Sequence, residues 1–271
     1  MKGFVGKLLK VNLTTKEVTD EPLDEEIAKN FLGAAGYSIR YLYDKIEKET
    51  DPLSADNILM LMTGPFCGST IPTSGRFTIC AKSPYTGLWG ESNCGGFLGP
   101  ELKKAGYDGI IINGASESPV FLNITSNGAE LKDASNLWGK GAFETSETLK
   151  EELGKLTRIA AIGQAGENLV KYAGIFSEEK AAGRTGLGAV MGSKKLKAIA
   201  IKGEKRSYEP ADPEGFKKIN SEVQDFVKNS FMTMMMNITA IFTIMSSSPF
   251  GMMLQRILPL SLLTPNMRPN P

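Results

Sequence analysis

Short apolar stretches bounded by polar turns predict β-strands along most of the chain. Residues 8–13 loosely alternate between apolar and polar positions, and residues 17–19 return after a Thr-Thr-Lys turn, so a hairpin is expected. A second hairpin is predicted over residues 120–124 and 129–133, because Asn127-Gly128 favours a tight turn between them. Mostly apolar stretches predict further strands at residues 58–63, 77–81, 159–162 and 196–201.

Helical spacing of apolar residues marks three further stretches. Residues 24–44 have this spacing, with a Gly-Ala-Ala-Gly interruption at residues 33–36 that is either a close-contact site for a ligand or a turn between helices. An amphipathic helix is predicted over residues 142–153, ending at Gly154. Another helix opens at Pro213, with apolar residues on one face: Phe216, Ile219, Val223 and Phe226.

Residues 179–192 form a segment rich in glycine and alanine with Arg184 near its middle. Glycine lets the backbone approach a ligand and turn N–H groups toward an anion, and an arginine can hold a phosphate with two parallel hydrogen bonds. The segment therefore predicts an anion-binding loop that leads into the strand at residues 196–201. Many glycine-rich turns bind nothing, so a plain structural turn is the alternative.

A second glycine-rich segment, residues 93–99, is followed by a similar apolar strand. A shift of 89 residues places Leu98-Gly99 on Leu187-Gly188 and Ile110 on Ile199. Related half-units of this kind predict a pseudo-symmetric domain in which one loop from each half faces a shared ligand. The alternative is a pair of ordinary strand–loop–strand units that resemble each other only in composition.

Arg76 ends a long polar, glycine-rich loop and immediately precedes the strand at residues 77–81. Its position near the two glycine-rich segments makes it a candidate anion ligand. The alternative is an ordinary surface arginine in a turn.

Composition excludes several classes of site. The chain has 271 residues with a net charge of +1, which does not suggest a nucleic-acid-binding surface. It has no histidine, which excludes serine–histidine catalysis and histidine-ligated metals. Its three cysteines, Cys67, Cys80 and Cys94, are too few for an ordinary iron–sulfur cluster and are expected to be buried apolar residues. No apolar signal segment follows Met1, so a cytoplasmic location is expected.

These motifs together resemble the aldehyde ferredoxin oxidoreductase family. The resemblance rests on residues 73–76 (Thr-Ser-Gly-Arg), 92–96 (Ser-Asn-Cys-Gly-Gly) and 180–184 (Lys-Ala-Ala-Gly-Arg), and on residues 187–194, 6–13 and 42–44. It covers residues 1 to about 208. It implies an α+β fold: a pseudo-symmetric domain of two halves whose two β-sheets form a saddle for a bis-pterin cofactor carrying tungsten or molybdenum.

The resemblance also implies roles for individual residues. Arg76 matches the arginine between the pterin and a [4Fe–4S] cluster, and Asn93 and Ala181 match residues whose backbone carbonyls hold a Mg²⁺ ion between the pterin phosphates. Hard oxygen ligands suit that ion. Gly95, Ala182, Gly183 and Arg184 match residues that contact pterin or phosphate. Lys180 stands where the family commonly has arginine, so it keeps the charge but not the two-pronged hydrogen bonding.

Three domains or segments are expected: a pterin-binding domain at residues 1–208, the start of a second domain at 209–230, and an atypical tail at 231–271. The tail holds eight of the twelve methionines, five of the fourteen prolines and only two charged residues. It is interpreted as out-of-frame sequence after a frameshift in a truncated gene. A membrane-seeking segment and a partner-binding segment are the alternatives.

The family activity is oxidation of an aldehyde to a carboxylic acid with ferredoxin as electron acceptor. This chain would supply the tungstopterin or molybdopterin cradle, while the cluster cysteines and the substrate pocket of the family lie beyond it. The alternatives are an inactive cofactor-binding module, or one subunit of an enzyme whose other domains are on a separate chain. An ordinary nucleotide-phosphate site is weakly supported, because neither glycine-rich segment has a Walker or dinucleotide pattern.

Overall fold

The computed structural model describes residues 1–204, 210–231, 233 and 235. The hairpin predicted at the start is confirmed, and Asn12 stabilises its turn: the Oδ1 atom accepts the N–H groups of Thr14 (3.0 Å) and Thr15 (3.2 Å). In chain order the first half contains β1 (Lys7–Asn12), β2 (Glu17–Pro22), α1 (Glu25–Phe31), α2 (Ala34–Tyr43), β3 (Leu59–Thr63), β4 (Phe77–Lys82), β5 (Trp89–Cys94), α3 (Leu98–Ala105) and β6 (Gly109–Asn113).

The second half begins with the hairpin predicted around Asn127-Gly128, which is also confirmed, as is the helix ending at Gly154. Gly128 has a φ of 135°, which a residue with a side chain rarely adopts. The elements are β7 (Val120–Thr125), β8 (Gly128–Asp133), α4 (Ala142–Leu153), β9 (Arg158–Ala161), α5 (Gln164–Glu167), β10 (Ile175–Ser177), β11 (Lys180–Ala182), α6 (Leu187–Ser193) and β12 (Leu196–Lys202).

The two halves have the same topology, which confirms the predicted internal repeat. One six-stranded sheet has the order β2-β1-β6-β3-β4-β5, and the other has the order β8-β7-β12-β9-β10-β11. The last strand of each half lies parallel to the first strand of that half and antiparallel to the third. Each strand of the first half therefore has a counterpart at the same place in the second sheet.

The main core is formed by apolar residues from both sheets and from α3 and α6. Each of these helices contacts strands of both sheets. Period-two alternation assigns residues to faces: Leu9, Leu61 and Ile110 belong to this core, whereas their neighbours Leu8, Met60 and Ile111 belong to a second core with α1 and α2. A third core packs α4 on the other face of the second sheet. The nearly continuous apolar strands reflect burial on both faces.

The glycine-rich segment at residues 179–192 is not the continuous loop that the sequence predicted. Lys180–Ala182 forms β11 and Leu187–Ser193 forms α6, so only residues 183–186 connect them as a turn. Glycine serves helix packing here, because a Cβ on Gly192 would overlap the carbonyl oxygen of Gly166. Small residues thus let α6 pack closely against α5.

A second compact unit begins at Glu214, after the first unit at Met1–Pro213. Its described residues include all but the first residue of the helix α7 (Pro213–Asn229), which the sequence predicted and in which no residue is buried. The expected segment boundaries at residues 208 and 230 stay predictions. The tail, apart from residues 231, 233 and 235, lies outside the described residues. Among the helices in the described residues, none combines the length and apolar character needed to span a membrane.

Candidate functional site

The two halves meet where the edge strands β5 and β11 approach each other. These strands occupy the same edge of their respective sheets. The approach is close, because a Cβ on Gly95 would lie 3.3 Å from Cδ of Lys180. The neighbouring Gly96 has a φ of 101°, which residues with a side chain rarely adopt. The glycines of residues 93–99 therefore make room for the side chains of the second half.

The register of β5 determines where the backbone of Asn93 points. At the β4–β5 turn the Ser83 N–H donates to the Leu88 carbonyl (2.8 Å), and Asn93 pairs with Thr78 five positions further along. Antiparallel strands alternate between hydrogen-bonded and non-hydrogen-bonded pairs, so Thr78–Asn93 is of the second kind. The N–H and C=O of Asn93 therefore point away from β4, toward the open edge.

Ala181 has the equivalent geometry in the second half. A two-residue turn, Glu178-Glu179, joins β10 to β11, and Glu178 has a φ of 56°, as in a type II′ turn. Such a turn makes Ser177–Lys180 the hydrogen-bonded pair, so the next pair, Phe176–Ala181, is the non-hydrogen-bonded kind. The carbonyl of Ala181 thus also points to the open edge. Asn93 and Ala181 are the second residues from the ends of matching strands.

A cleft of about 680 Å³ lies along these edges. Its lining includes Arg76 and Arg184, whose guanidinium groups form no hydrogen bond or ion pair with other residues in the described part of the chain. Lys180 lines the adjacent cavity, and within the same residues its ammonium group also has no such partner. Cations without partners at a concave surface can bind an anion. The residues around the cleft are Arg76, Glu91, Ser92, Asn93, Ala181, Gly183 and Arg184.

Hydrogen bonds between the halves fix the turn that carries Arg184. The Arg184 N–H donates to Oγ of Ser92 (3.0 Å), and Oγ1 of Thr185 donates to the Glu91 carbonyl (3.4 Å). Ser83 Oγ also donates to the Thr185 carbonyl (2.8 Å). The backbone of Arg184 is therefore held against β5, while its guanidinium group is exposed in the cleft.

An ion pair supports the turn between β10 and β11. Arg158 and Glu178 form a partly buried ion pair, and the Arg158 guanidinium lies 4.8 Å from the ring centroid of Phe97. The positive φ of Glu178 is unfavourable for a residue with a side chain. The ion pair and the cation–π contact hold the turn in this conformation, next to Lys180 and Ala181.

The structure brings together five of the eight predicted site residues: Arg76, Asn93, Ala181, Gly183 and Arg184 all line the cleft. Gly95 lies against Lys180, just outside this lining. Ala182 is fully buried and belongs to the core between the sheets, so the structure places it away from the cleft surface. The predicted contacts of all eight residues with a cofactor stay predictions.

Sequence reasoning missed Glu91 and Ser92. Both lie on the edge strand β5 beside Asn93. Alternation along that strand could have identified Glu91, which shares a face with Asn93, but gives no signal for Ser92. Ser92 and Cys94 point to one face, whereas Glu91 and Asn93 point to the other.

The three cysteines are buried, as the sequence predicted, and all three thiols are free. Burial raises the pKa of the Cys67 and Cys80 thiols to about 12. Burial also raises the pKa of Cys94, although the positive charges of Lys180 and Arg76 partly oppose that shift. The described residues contain no group of three or more carboxylate, thiol or imidazole side chains suited to a metal. A cation at this cleft would therefore need backbone carbonyls and groups that a ligand supplies in addition to any single side chain.

Comparison with known proteins identifies the family. A family model described as the N-terminal domain of aldehyde ferredoxin oxidoreductase matches residues 8–203. The chain belongs to the aldehyde ferredoxin oxidoreductase family. It is 49% identical to a tungsten-containing aldehyde ferredoxin oxidoreductase of Thermococcus kodakarensis over 76% of this chain and 34% of the relative. It is 46% identical to the protein of that name in Pyrococcus abyssi, over 82% of this chain and 37% of the relative.

A solved structure shares the fold. It is the active-site complex BamBC of benzoyl coenzyme A reductase in complex with 1,5-dienoyl-CoA, with a TM-score of 0.82 and 40% identity. The match covers 84% of this chain and 35% of that one. The chain thus spans about a third of the length of the proteins that it matches.

Proposed function

We propose that this chain forms the cofactor-binding domain of a tungsten or molybdenum aldehyde:ferredoxin oxidoreductase. The observation that carries the proposal is the cleft between β5 and β11. Two outward carbonyls lie there with cations of both halves that have no partner among the described residues. Tungsten is favoured because the relatives are tungsten-containing proteins. When bound, the bis-pterin group supplies the redox centre at which an aldehyde is oxidised to a carboxylic acid and from which electrons pass to ferredoxin.

The residues at the cleft fit the phosphate end of such a group. Arg76 and Arg184 would neutralise phosphate charge, and Lys180 would do so as a single point charge. The carbonyls of Asn93 and Ala181 would hold a Mg²⁺ ion, which prefers oxygen ligands and is commonly bound together with phosphates. Gly95 and Gly183 carry no side chain that would obstruct the approach of the ligand.

The matching positions of Asn93 and Ala181 add a structural reason for this arrangement. Strand pairing puts the two carbonyls at equivalent positions of the two halves, so a cation held by both would have the same backbone group on each side. Two equal pterin phosphates would then meet similar backbone surroundings on either side.

The experiment that tests the proposal measures tungsten, molybdenum and pterin in the chain purified without oxygen. Arg184→Gln should lower cofactor content by at least about tenfold, because the loss of a charged hydrogen bond costs about 1.5–3 kcal/mol. Lys155→Gln, which removes one exposed positive charge outside the cleft lining, should keep the wild-type content. Equal cofactor content in both variants would contradict the role of Arg184, and a wild-type chain that never binds pterin would contradict the proposal.

Activity of the chain by itself is a separate question. The chain covers about a third of its relatives, so the second candidate function is a non-catalytic cofactor-binding module or one subunit of a split enzyme. The neighbour in complex with dienoyl-CoA is called a reductase, so the shared fold does not fix the substrate. Ferredoxin-linked aldehyde oxidation by the cofactor-loaded chain would rule out the module. Cofactor binding without oxidation would support the module or the split enzyme.

A further inference from the structure

Glu91 introduces a negative charge into a cleft whose other charged lining residues are Arg76 and Arg184. The Glu91 carboxylate forms no ion pair with either arginine; within the described residues its one hydrogen-bond partner is Asn93, whose Nδ2 donates to Oε1 (2.8 Å). A carboxylate beside a phosphate site weakens anion binding, unless a cation lies between the two negative groups. The position of Glu91 therefore points to a cation.

The strand geometry places Glu91 beside the predicted cation ligand. Glu91 and Asn93 are two residues apart on the edge strand β5, so their side chains are on the same face of the sheet. The Asn93 side chain is held at both ends, because its Oδ1 accepts from Oγ1 of Thr78 (2.8 Å) and its Nδ2 donates to Glu91. This chain of hydrogen bonds fixes the carboxylate next to the residue whose carbonyl points to the open edge.

We propose that Glu91 is a positioning residue for Mg²⁺ at this cleft, where its carboxylate accepts a hydrogen bond from a water bound to the ion. The inference rests on the proposed function, since the phosphates that complete the site belong to the cofactor. Mg²⁺ usually keeps several of its waters and binds near carboxylates and phosphates. Hydrogen bonds from such outer groups orient the ligands and increase metal affinity.

The second half provides a matched control. Glu179 precedes Ala181 by two residues, as Glu91 precedes Asn93, but it is exposed and lines the neighbouring cavity instead of the cleft. A carboxylate-to-amide change at Glu179 alters net charge by the same amount. It should leave ion binding at the cleft unchanged.

The experiment uses the full chain without cofactor and measures thermal unfolding with inorganic phosphate, with MgCl₂, and with both. In wild-type protein, Mg²⁺ should add to the stabilisation given by phosphate. Glu91→Gln should weaken the apparent Mg²⁺ affinity measured in phosphate by about 10- to 100-fold, the usual effect of losing an outer-shell partner. The same variant should bind phosphate without Mg²⁺ at least as well as wild type, because a nearby negative charge is removed. Glu179→Gln should behave as wild type in both titrations.

The outcomes separate the inference from the proposed function. Glutamine can still accept the Asn93 hydrogen bond, so a purely structural role predicts no change in Glu91→Gln, and that result would overturn the inference. A wild-type chain stabilised by phosphate but not further by Mg²⁺ would also overturn it, while leaving the anion site intact. If neither phosphate nor Mg²⁺ stabilised the wild-type chain, the assignment of the cleft and the role of Glu91 would fail together.

Discussion

Lys194 shows how a single buried charge can join segments distant in sequence. Its side chain is fully buried, and Nζ donates to the carbonyls of Gly114 (2.9 Å) and Ala55 (3.1 Å). Burial lowers the pKa of this amine to about 8, and the negative charge of Asp56 opposes the shift only in part. The lysine thus satisfies two carbonyls but requires a cation to be removed from water.

This pKa predicts how stability depends on pH. Between about pH 8 and 10.5 the unfolded chain keeps the Lys194 proton while the folded chain loses it, so this residue makes the free energy of unfolding rise with pH. The rise should be about 1 kcal/mol between pH 8 and 9. Chemical denaturation across this range, in wild type and Lys194→Met, measures it.

Lys194→Met should be less stable throughout, because the Gly114 carbonyl loses its side-chain donor and the Ala55 carbonyl keeps only the Gly114 N–H. The difference between the two proteins should widen by the predicted amount as pH increases from 8 to 9. A constant difference would contradict the lowered pKa.

At the scale of elements, the helix α6 owes its position to residues without bulky side chains. Leu187 and Val190 pack in the main core, and Gly192 lies against the Gly166 carbonyl. From the sequence, the glycines of residues 179–192 were expected to let the backbone approach another group closely. That group was expected to be a ligand, although the partner of Gly192 is the backbone of the same chain.

Gly192→Ala should therefore destabilise the domain by about 1–3 kcal/mol, the usual cost of overpacking a well-packed site. Gly64→Ala serves as the control, because an added Cβ there would meet none of the described residues within 4 Å and should have little effect. Thermal unfolding of both variants measures the difference. Equal melting temperatures would show that the Gly166 segment moves away at no cost.

At the scale of the whole molecule, the three apolar cores found among the described residues lie within the unit that ends at Pro213. Stability should therefore come from this unit, since hydrophobic burial is the dominant favourable term in folding. A chain ending at residue 204 should unfold cooperatively, with a melting temperature within a few degrees of the full chain. Circular dichroism on heating tests this. Loss of cooperative unfolding would show that later residues are required.

Much of the fold could be predicted from local patterns. The hairpin at Asn127-Gly128 and the helix ending at Gly154 were predicted correctly, because turn chemistry and helical periodicity act over short windows. The repeat was detectable because equivalent strands, such as those containing Ile110 and Ile199, bury the same types of residue. The strand β11 was missed, since three residues are too few for a periodic signal.

The sequence by itself determined the two-half α+β architecture, the identity of most elements, and the arginines and glycines of the candidate site. Tertiary structure decided how these residues are used. Strand register turned the carbonyls of Asn93 and Ala181 to the open edges, and the meeting of β5 with β11 added Glu91 and Ser92 to the cleft. The tertiary structure also placed Ala182 in the core. These outcomes depend on pairing between segments far apart in the chain. A shift of one residue in register would turn the two carbonyls the other way and would move Ala182 to the opposite face of its strand.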